Sequence, residues 1–292
     1  MSNQTKQNTL VHLWFKGEDL KNAVDKYTKI FENSKILRSI NFDTPFDTTA
    51  DCIEFTLGGR VFQAINAEPA FEFNNSFSFV VMCPSQEDLN TKWTNLISNG
   101  GKEIMPLEKT DFAECYGILE DEFGLTWHVF LDGQMHFDFE VVPVMMYPQG
   151  KTKEALEFYS TVFKDFAINF VDYLDEEKNN IIFSCFTING SDYFAWDNLE
   201  EVDYPFNEST SIMIECETQE EIDYYWDKLS ADKNDGQCGW TKDRFGLSWQ
   251  IIPKYVNEVF FNQGKEKYNK ISSAMLEMKK LDIEKLKQAA EQ

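Results

Sequence analysis

Asp121-Glu122-Phe123-Gly124-Leu125-Thr126-Trp127 returns as Asp243-Arg244-Phe245-Gly246-Leu247-Ser248-Trp249, and this recurrence organises the whole 292-residue chain. Upstream, Phe73-Asn74-Asn75-Ser76-Phe77-Ser78 returns as Phe206-Asn207-Glu208-Ser209-Thr210-Ser211, and Trp93 returns as Trp226. Further back, Leu20, Ala23, Val24, Tyr27, Ile30 and Phe31 are matched 132 residues later by Thr152, Ala155, Leu156, Tyr159, Val162 and Phe163. So many landmarks in one order mean an internal duplication. Trp93 to Phe123 spans 30 residues, whereas Trp226 to Phe245 spans 19. The second copy has therefore lost 11 residues from one connection, a change that surface loops tolerate.

Within a copy, apolar period and turn residues alternate in a set order. Leu10 to Phe15 reads as a short strand, and the 20/23/24/27/30/31 spacing as an amphipathic helix face. Ile36 to Phe42, Cys52 to Leu57 and Val61 to Asn66 read as strands, with Gly58-Gly59 turning the last two into a hairpin. Ser76 to Cys83 is a strand, and Ser85 caps a helix that ends at Asn99-Gly100-Gly101. Leu125 to Leu131 closes the copy, and Thr218 with Glu221 has capping-box spacing in the second. Each copy thus holds two βαβββ modules. The expected class is α+β: two tandem domains, residues 8–133 and 141–253, each of paired modules forming a curled mixed sheet. Residues 254–292 read as a C-terminal helix whose apolar stripe of Met275, Met278, Leu281, Ile283, Leu286 and Ala290 packs on the body or on a second copy.

Composition removes several classes of function. With 42% hydrophobic and 15% aromatic residues the chain can bury a core, so wholesale disorder is excluded. Its 27 Lys and Arg against 50 Asp and Glu leave a net charge of −23, a field that repels nucleic acid and anionic lipid. The polar start and the lack of a spanning apolar run predict neither signal peptide nor membrane segment. Six cysteines without Cys-x-x-Cys spacing read as reduced, buried thiols in a cytoplasmic protein, Cys238 included.

The stretch Gly236-Gln237-Cys238-Gly239-Trp240-Thr241-Lys242-Asp243-Arg244-Phe245-Gly246-Leu247-Ser248-Trp249-Gln250-Ile251-Ile252-Pro253 resembles the closing signature of the PhnB-like, demethylubiquinone methyltransferase-like family. That family belongs to the vicinal oxygen chelate (glyoxalase, bleomycin resistance, dioxygenase) superfamily. The Leu13-Trp14-Phe15 opening and the Met275-Leu276-Glu277-Met278-Lys279-Lys280 tail resemble it too, so the likeness runs from about Leu10 to the C-terminus. Methyl transfer itself is disfavoured, because no strand-Gly-x-Gly-helix unit is present to hold a nucleotide-like methyl donor.

The resemblance implies ligand positions on the first, fourth, fifth and eighth strands of each copy. They fall on His12, Gln63, Ser78 and His128 in the first copy, and on Val144, Phe194, Ser211 and Gln250 in the second. His12, Gln63 and His128 form a candidate set for Zn²⁺, Ni²⁺ or Fe²⁺ in the first copy, serving a metal-dependent lyase, isomerase or dioxygenase. It lacks the carboxylates that such enzymes supply. The second copy is expected to be metal-free, and the third histidine, His136, is given no role. The other reading is a small-molecule cleft, best preserved in the first copy and acting as a binding or scaffold module. Trp14, Phe62, Ser78, Trp127, Trp240, Trp249 and Gln250 are its candidate lining, suited to a flat apolar or cationic ligand. The expected partners are that ligand and a second copy of the chain in a homodimer.

Overall fold

The computed structural model describes residues 9–44, 48–68, 71–131, 139–177, 179–199 and 204–291. Within them the four expected modules follow in order. The first is β1 (Thr9–Trp14), α1 (Asp19–Ile30), β2 (Lys35–Asp43), β3 (Thr49–Leu57) and β4 (Arg60–Ile65). The second is β5 (Phe77–Cys83), α2 (Gln86–Ile97), β6 (Lys102–Glu108), β7 (Tyr116–Glu120) and β8 (Thr126–Leu131). The third is β9 (Val141–Pro148), α3 (Lys151–Val162), β10 (Ala167–Tyr173), β11 (Ile181–Ile188) and β12 (Ser191–Asn198). The fourth keeps only β13 (Thr210–Cys216), α4 (Gln219–Leu229), β14 (Trp240–Lys242) and β15 (Ser248–Pro253). The 11 missing residues thus remove a strand rather than shorten a loop.

Local signals act where the sequence places them. Ser85 Oγ accepts from the Asp88 amide at the start of α2, and Thr218 with Glu221 closes a reciprocal capping box on α4. Gly58 and Gly59, at φ +55° and +85°, make the two-residue turn of the β3–β4 hairpin. That turn demands positive φ at both central positions. A Cβ at Gly58 would also meet Glu140 at 2.6 Å.

The α+β class with curled mixed sheets stands, but the strand pairing crosses the repeats. One sheet has seven strands in the order β14-β15-β13-β1-β4-β3-β2, and the other has eight in the order β10-β11-β12-β9-β5-β8-β7-β6. The first sheet therefore joins modules one and four, and the second joins modules two and three. Two antiparallel seams make the exchange: β1 on β13, with His12 opposite Ser211, and β5 on β9, with Ser78 opposite Val144. No helix of the described residues is long and apolar enough to cross a membrane.

The helices do the opposite and stay within their own repeat. Tyr27 of α1 donates to Asp121, which lies in the β7–β8 turn of module two, at 2.5 Å. The same carboxylate accepts from Trp127 Nε1 at 2.8 Å and from the Phe123 and Leu125 amides. Asp243 repeats the arrangement with Tyr159, Trp249 Nε1 and the Phe245 and Leu247 amides. Both carboxylates are buried, and four donors each offset the loss of water. The Asp-x-Phe-Gly-Leu-x-Trp signature is thus a structural staple on the convex side of the sheets, where α1–α4 and one continuous apolar core lie.

The expected single C-terminal helix is instead three: α5 (Lys254–Asn262), α6 (Lys265–Leu276) and α7 (Ile283–Glu291). Gly264, at φ +86°, breaks the first pair. The Cys238 and Gly239 amides donate to the carbonyls of Met278 and Lys279, both at 2.8 Å, and those backbone bonds interrupt the second. Of the apolar stripe, Met275, Leu281, Leu286 and Ala290 are buried and pack on the body, against Leu10, Met213 and Ile252 of the seven-stranded sheet.

Asp243→Ala should leave the Tyr159 hydroxyl, the Trp249 indole and two amides without their acceptor. A loss of about 3 kcal/mol or more is expected from orphaning several buried donors, read as a lower urea midpoint. Asp223→Ala, on an exposed pair with Lys280, should shift it by less than about 1 kcal/mol.

Candidate functional site

Alternation along each strand sorts the candidate residues between two faces. Val11 and Leu13 enter the convex core, so Leu10, His12 and Trp14 point to the concave side of the seven-stranded sheet. On β4 the core takes Phe62 and Ala64 and leaves Gln63 on the concave side, beside His12. Ser211 and Gln250 come from the other repeat, and Gln250 Nε2 donates to Ser211 Oγ at 2.9 Å. The His12 ring stands edge-on to Trp240 at 5.6 Å, and Trp240 lies 5.4 Å from Trp14. Glu54, register partner of Gln63, accepts from Arg38 Nε and Nη2 at 3.0 and 2.6 Å. A polar band thus crosses this sheet, and its carboxylate is neutralised.

The eight-stranded sheet carries the remainder. Ser78 and His128 come from module two, Val144 and Phe194 from module three. His128 Nδ1 shares a 2.8 Å hydrogen bond with the Tyr116 hydroxyl, and its ring stands edge-on to Trp196 at 5.0 Å. Contacts continue outward on both sides. Tyr116 meets Phe130 at 4.4 Å and Phe112 at 5.2 Å, while Trp196 meets Phe183 at 6.3 Å. Phe183 then meets Phe194 and Phe170 at 4.9 and 6.1 Å. Phe130, Phe183 and Trp196 are half-buried, and Phe112 and Phe170 are exposed. Glu108 and Asp172 pair with Tyr116 and Phe183 across their ladders, so two carboxylates share this face at its rims.

This geometry divides the sequence-based site. His12 and Gln63 are neighbours, but His128 belongs to the other sheet, because the repeats exchange halves. Among the described residues each concave face therefore holds one imidazole, and no three His, Cys, Asp or Glu side chains converge. One imidazole with amides and hydroxyls does not match a Zn²⁺, Ni²⁺ or Fe²⁺ shell. Of the expected lining residues, Trp14, Trp240, Gln250 and Ser78 face a concave surface. Phe62, Trp127 and Trp249 do not: Phe62 stacks on Phe55 in the convex core, and both tryptophans bond the buried aspartates. Strand alternation places Trp127 opposite His128, and that signal was in the sequence. Tyr116, Phe183 and Phe170 escaped it because nothing local marks β7, β10 and β11 as flanking strands. His136 lies outside the described residues.

Burial sets the chemistry of the titratable groups. It lowers the His12 and His128 imidazoles to about 3, so both are neutral near pH 7. Burial pushes Cys238 up to about 11, which keeps it a thiol rather than a nucleophilic thiolate. Two open grooves on the outer surface, between α1 and α2 and between α6 and α7, touch neither concave face.

These halves define a glyoxalase-type fold. The structure of a glyoxalase I point mutant from Zea mays is similar over 86% of this chain and 95% of its own, with TM-score 0.56 and 12% identity. A second glyoxalase I mutant from the same plant covers 83% and 92%, with TM-score 0.52 and 11% identity. The sequence then gives the family: residues 7–130 and 139–252 each match 3-demethylubiquinone-9 3-methyltransferase, and the chain belongs to that family as a tandem pair. A Bacillus cereus protein described as a putative 3-demethylubiquinone-9 3-methyltransferase, PhnB protein, is 27% identical over 42% of this chain and 98% of its own, with TM-score 0.38. No curated protein matches the sequence.

The two histidines should make the fold acid-sensitive. Each is held below its unfolded value of 6.5, so the stability tied to its neutral form is complete above pH 6.5 and is lost as pH falls toward 3. In His128→Gln that part of the slope should vanish. Urea midpoints of wild type and variant, compared between pH 7 and 4, should converge or cross as pH falls; a constant difference would contradict the assignment.

Proposed function

We propose that the protein binds a planar, largely apolar small molecule carrying positive charge on the concave face of the eight-stranded sheet, without a metal. The observation that carries this reading is the chain of aromatic contacts from Phe112 through Tyr116, His128 and Trp196 to Phe183 and Phe170. Exposed and half-buried rings around the buried Tyr116–His128 pair suit stacking on a flat guest. Glu108 and Asp172 at the rims, and the chain's charge of −23, favour a cation. Catalysis by proton transfer is poorly supported, because an imidazole held at about 3 is a weak base near pH 7. The maize glyoxalase I structures share the fold at 11–12% identity, which carries no substrate across.

Calorimetry with a planar acridinium dye and a sulfonated anionic analogue tests this. The cation should bind, and Trp196→Ala should weaken it about tenfold, the loss of one good ring contact. Trp240→Ala, on the other sheet, should leave it unchanged. Equal binding of the anion, or sensitivity to Trp240 alone, would refute the reading. Chelator treatment and added Zn²⁺ or Ni²⁺ should leave the melting temperature where it was; a stoichiometric metal that stabilises the protein would instead favour metal-assisted chemistry.

A further inference from the structure

The concave face of the seven-stranded sheet is covered by the chain itself. α5 leaves β15 directly and lies against both β15 and β2, strands near opposite ends of that sheet, and α6 continues along β2. Phe260 and Tyr268 stand edge-on to Phe42 at 5.4 and 5.5 Å, and the Arg38 guanidinium sits 4.3 Å from the Phe261 ring. Leu10 and Ile65, each two residues along its strand from His12 and Gln63, pack into these contacts.

Beneath the cover the packing is incomplete in one respect. His12 Nδ1 and the Gln63 amide nitrogen are buried and have no hydrogen-bond partner among the described residues, although the two residues are neighbours in register. The corresponding imidazole on the eight-stranded sheet, His128, has Tyr116. Buried polar atoms are nearly always satisfied, so a face built to stay filled by helix would not leave two adjacent ones orphaned.

We propose that α5 and α6 are a latched cover over a second binding face, whose His12–Gln63 pair takes a small uncharged hydrogen-bonding molecule once the cover lifts. The ends of the cover are fixed, by chain continuity at Pro253 and by the Met278 and Lys279 carbonyls bonded to Cys238 and Gly239. Its middle rests on apolar contacts of Val256, Val259, Phe260, Ile271 and Met275 with the sheet, and at the exposed edge Asp43 latches it, pairing with Lys265 at 2.6 Å and accepting from Asn269 at 2.6 Å. Gly264, open around its Cα at φ +86°, stands between the helices as the flexible joint. Arg38 and Glu54 neutralise each other at the edge of the face, which suits an uncharged guest.

Diethyl pyrocarbonate, which acylates neutral imidazoles, reports the opening by peptide mass spectrometry at His12. Asp43→Ala and Lys265→Glu should each raise the His12 rate about threefold or more, the weight of an exposed ion pair. The charge-swapped Asp43→Lys/Lys265→Asp protein should return it to the wild-type rate. Amide exchange in α6 should quicken in Asp43→Ala while β1 amides keep their protection. Unchanged His12 rates, failure of the swap to restore them, or parallel acceleration in β1, which signals global unfolding, would overturn the cover. None of these readouts involves dye binding on the other sheet, so the two proposals stand or fall separately.

Discussion

Two antiparallel seams, β1 against β13 and β5 against β9, hold the architecture together. Each joins the first strand of one module to the first strand of another from the opposite repeat. A sheet cannot end on an apolar, fully buried strand without leaving a row of backbone donors and acceptors unpaired. β1, β5, β9 and β13 are buried along nearly their whole length, so each must find a neighbour on both sides. Crosswise pairing supplies those neighbours, while α1 with Asp121 and α3 with Asp243 keep the two modules of each repeat locked together. The repeats therefore interlock: each buried aspartate ties the modules of one repeat, while the continuous convex core and the concave faces belong to both.

This interlocking explains how the two faces diverged. Every concave face is built from one half of each copy, so a change in one copy reaches a face it shares with the other. The loss of a strand from module four left the seven-stranded sheet with a short β14 edge, and the C-terminal segment now bonds to the backbone beside it at Cys238 and Gly239. α5 and α6 then fill the hollow. The eight-stranded sheet kept all its strands and lines its hollow with rings. One face thus became covered by helices, and the other lined with aromatic rings.

Most of the element order was legible from the chain. The Gly58-Gly59 turn, the Ser85 cap, the Thr218–Glu221 box and the helix faces are local events, decided by residues a few positions apart, and all appear where the pattern places them. The candidate site was less legible. Ser78, His12, Gln63 and Gln250 do face concave surfaces, as alternation requires, but which of them share a surface depends on pairing between strands as distant in the chain as β1 and β13. Trp127 and Trp249 misled because a signature tryptophan near a site position suggests a ligand wall; the buried aspartate beside each one shows a staple instead.

The amino-acid sequence alone determined the duplication, the four modules, the lost segment in module four and the family, because each rests on short-range pattern or on direct comparison of one copy with the other. Only the tertiary structure decided that the halves trade partners, that His12 and His128 never meet, and that the C-terminal helices close one face. Those outcomes depend on which buried strand satisfies which, a choice made among equivalent edges by long-range packing, and modules of one design carry no local mark of it.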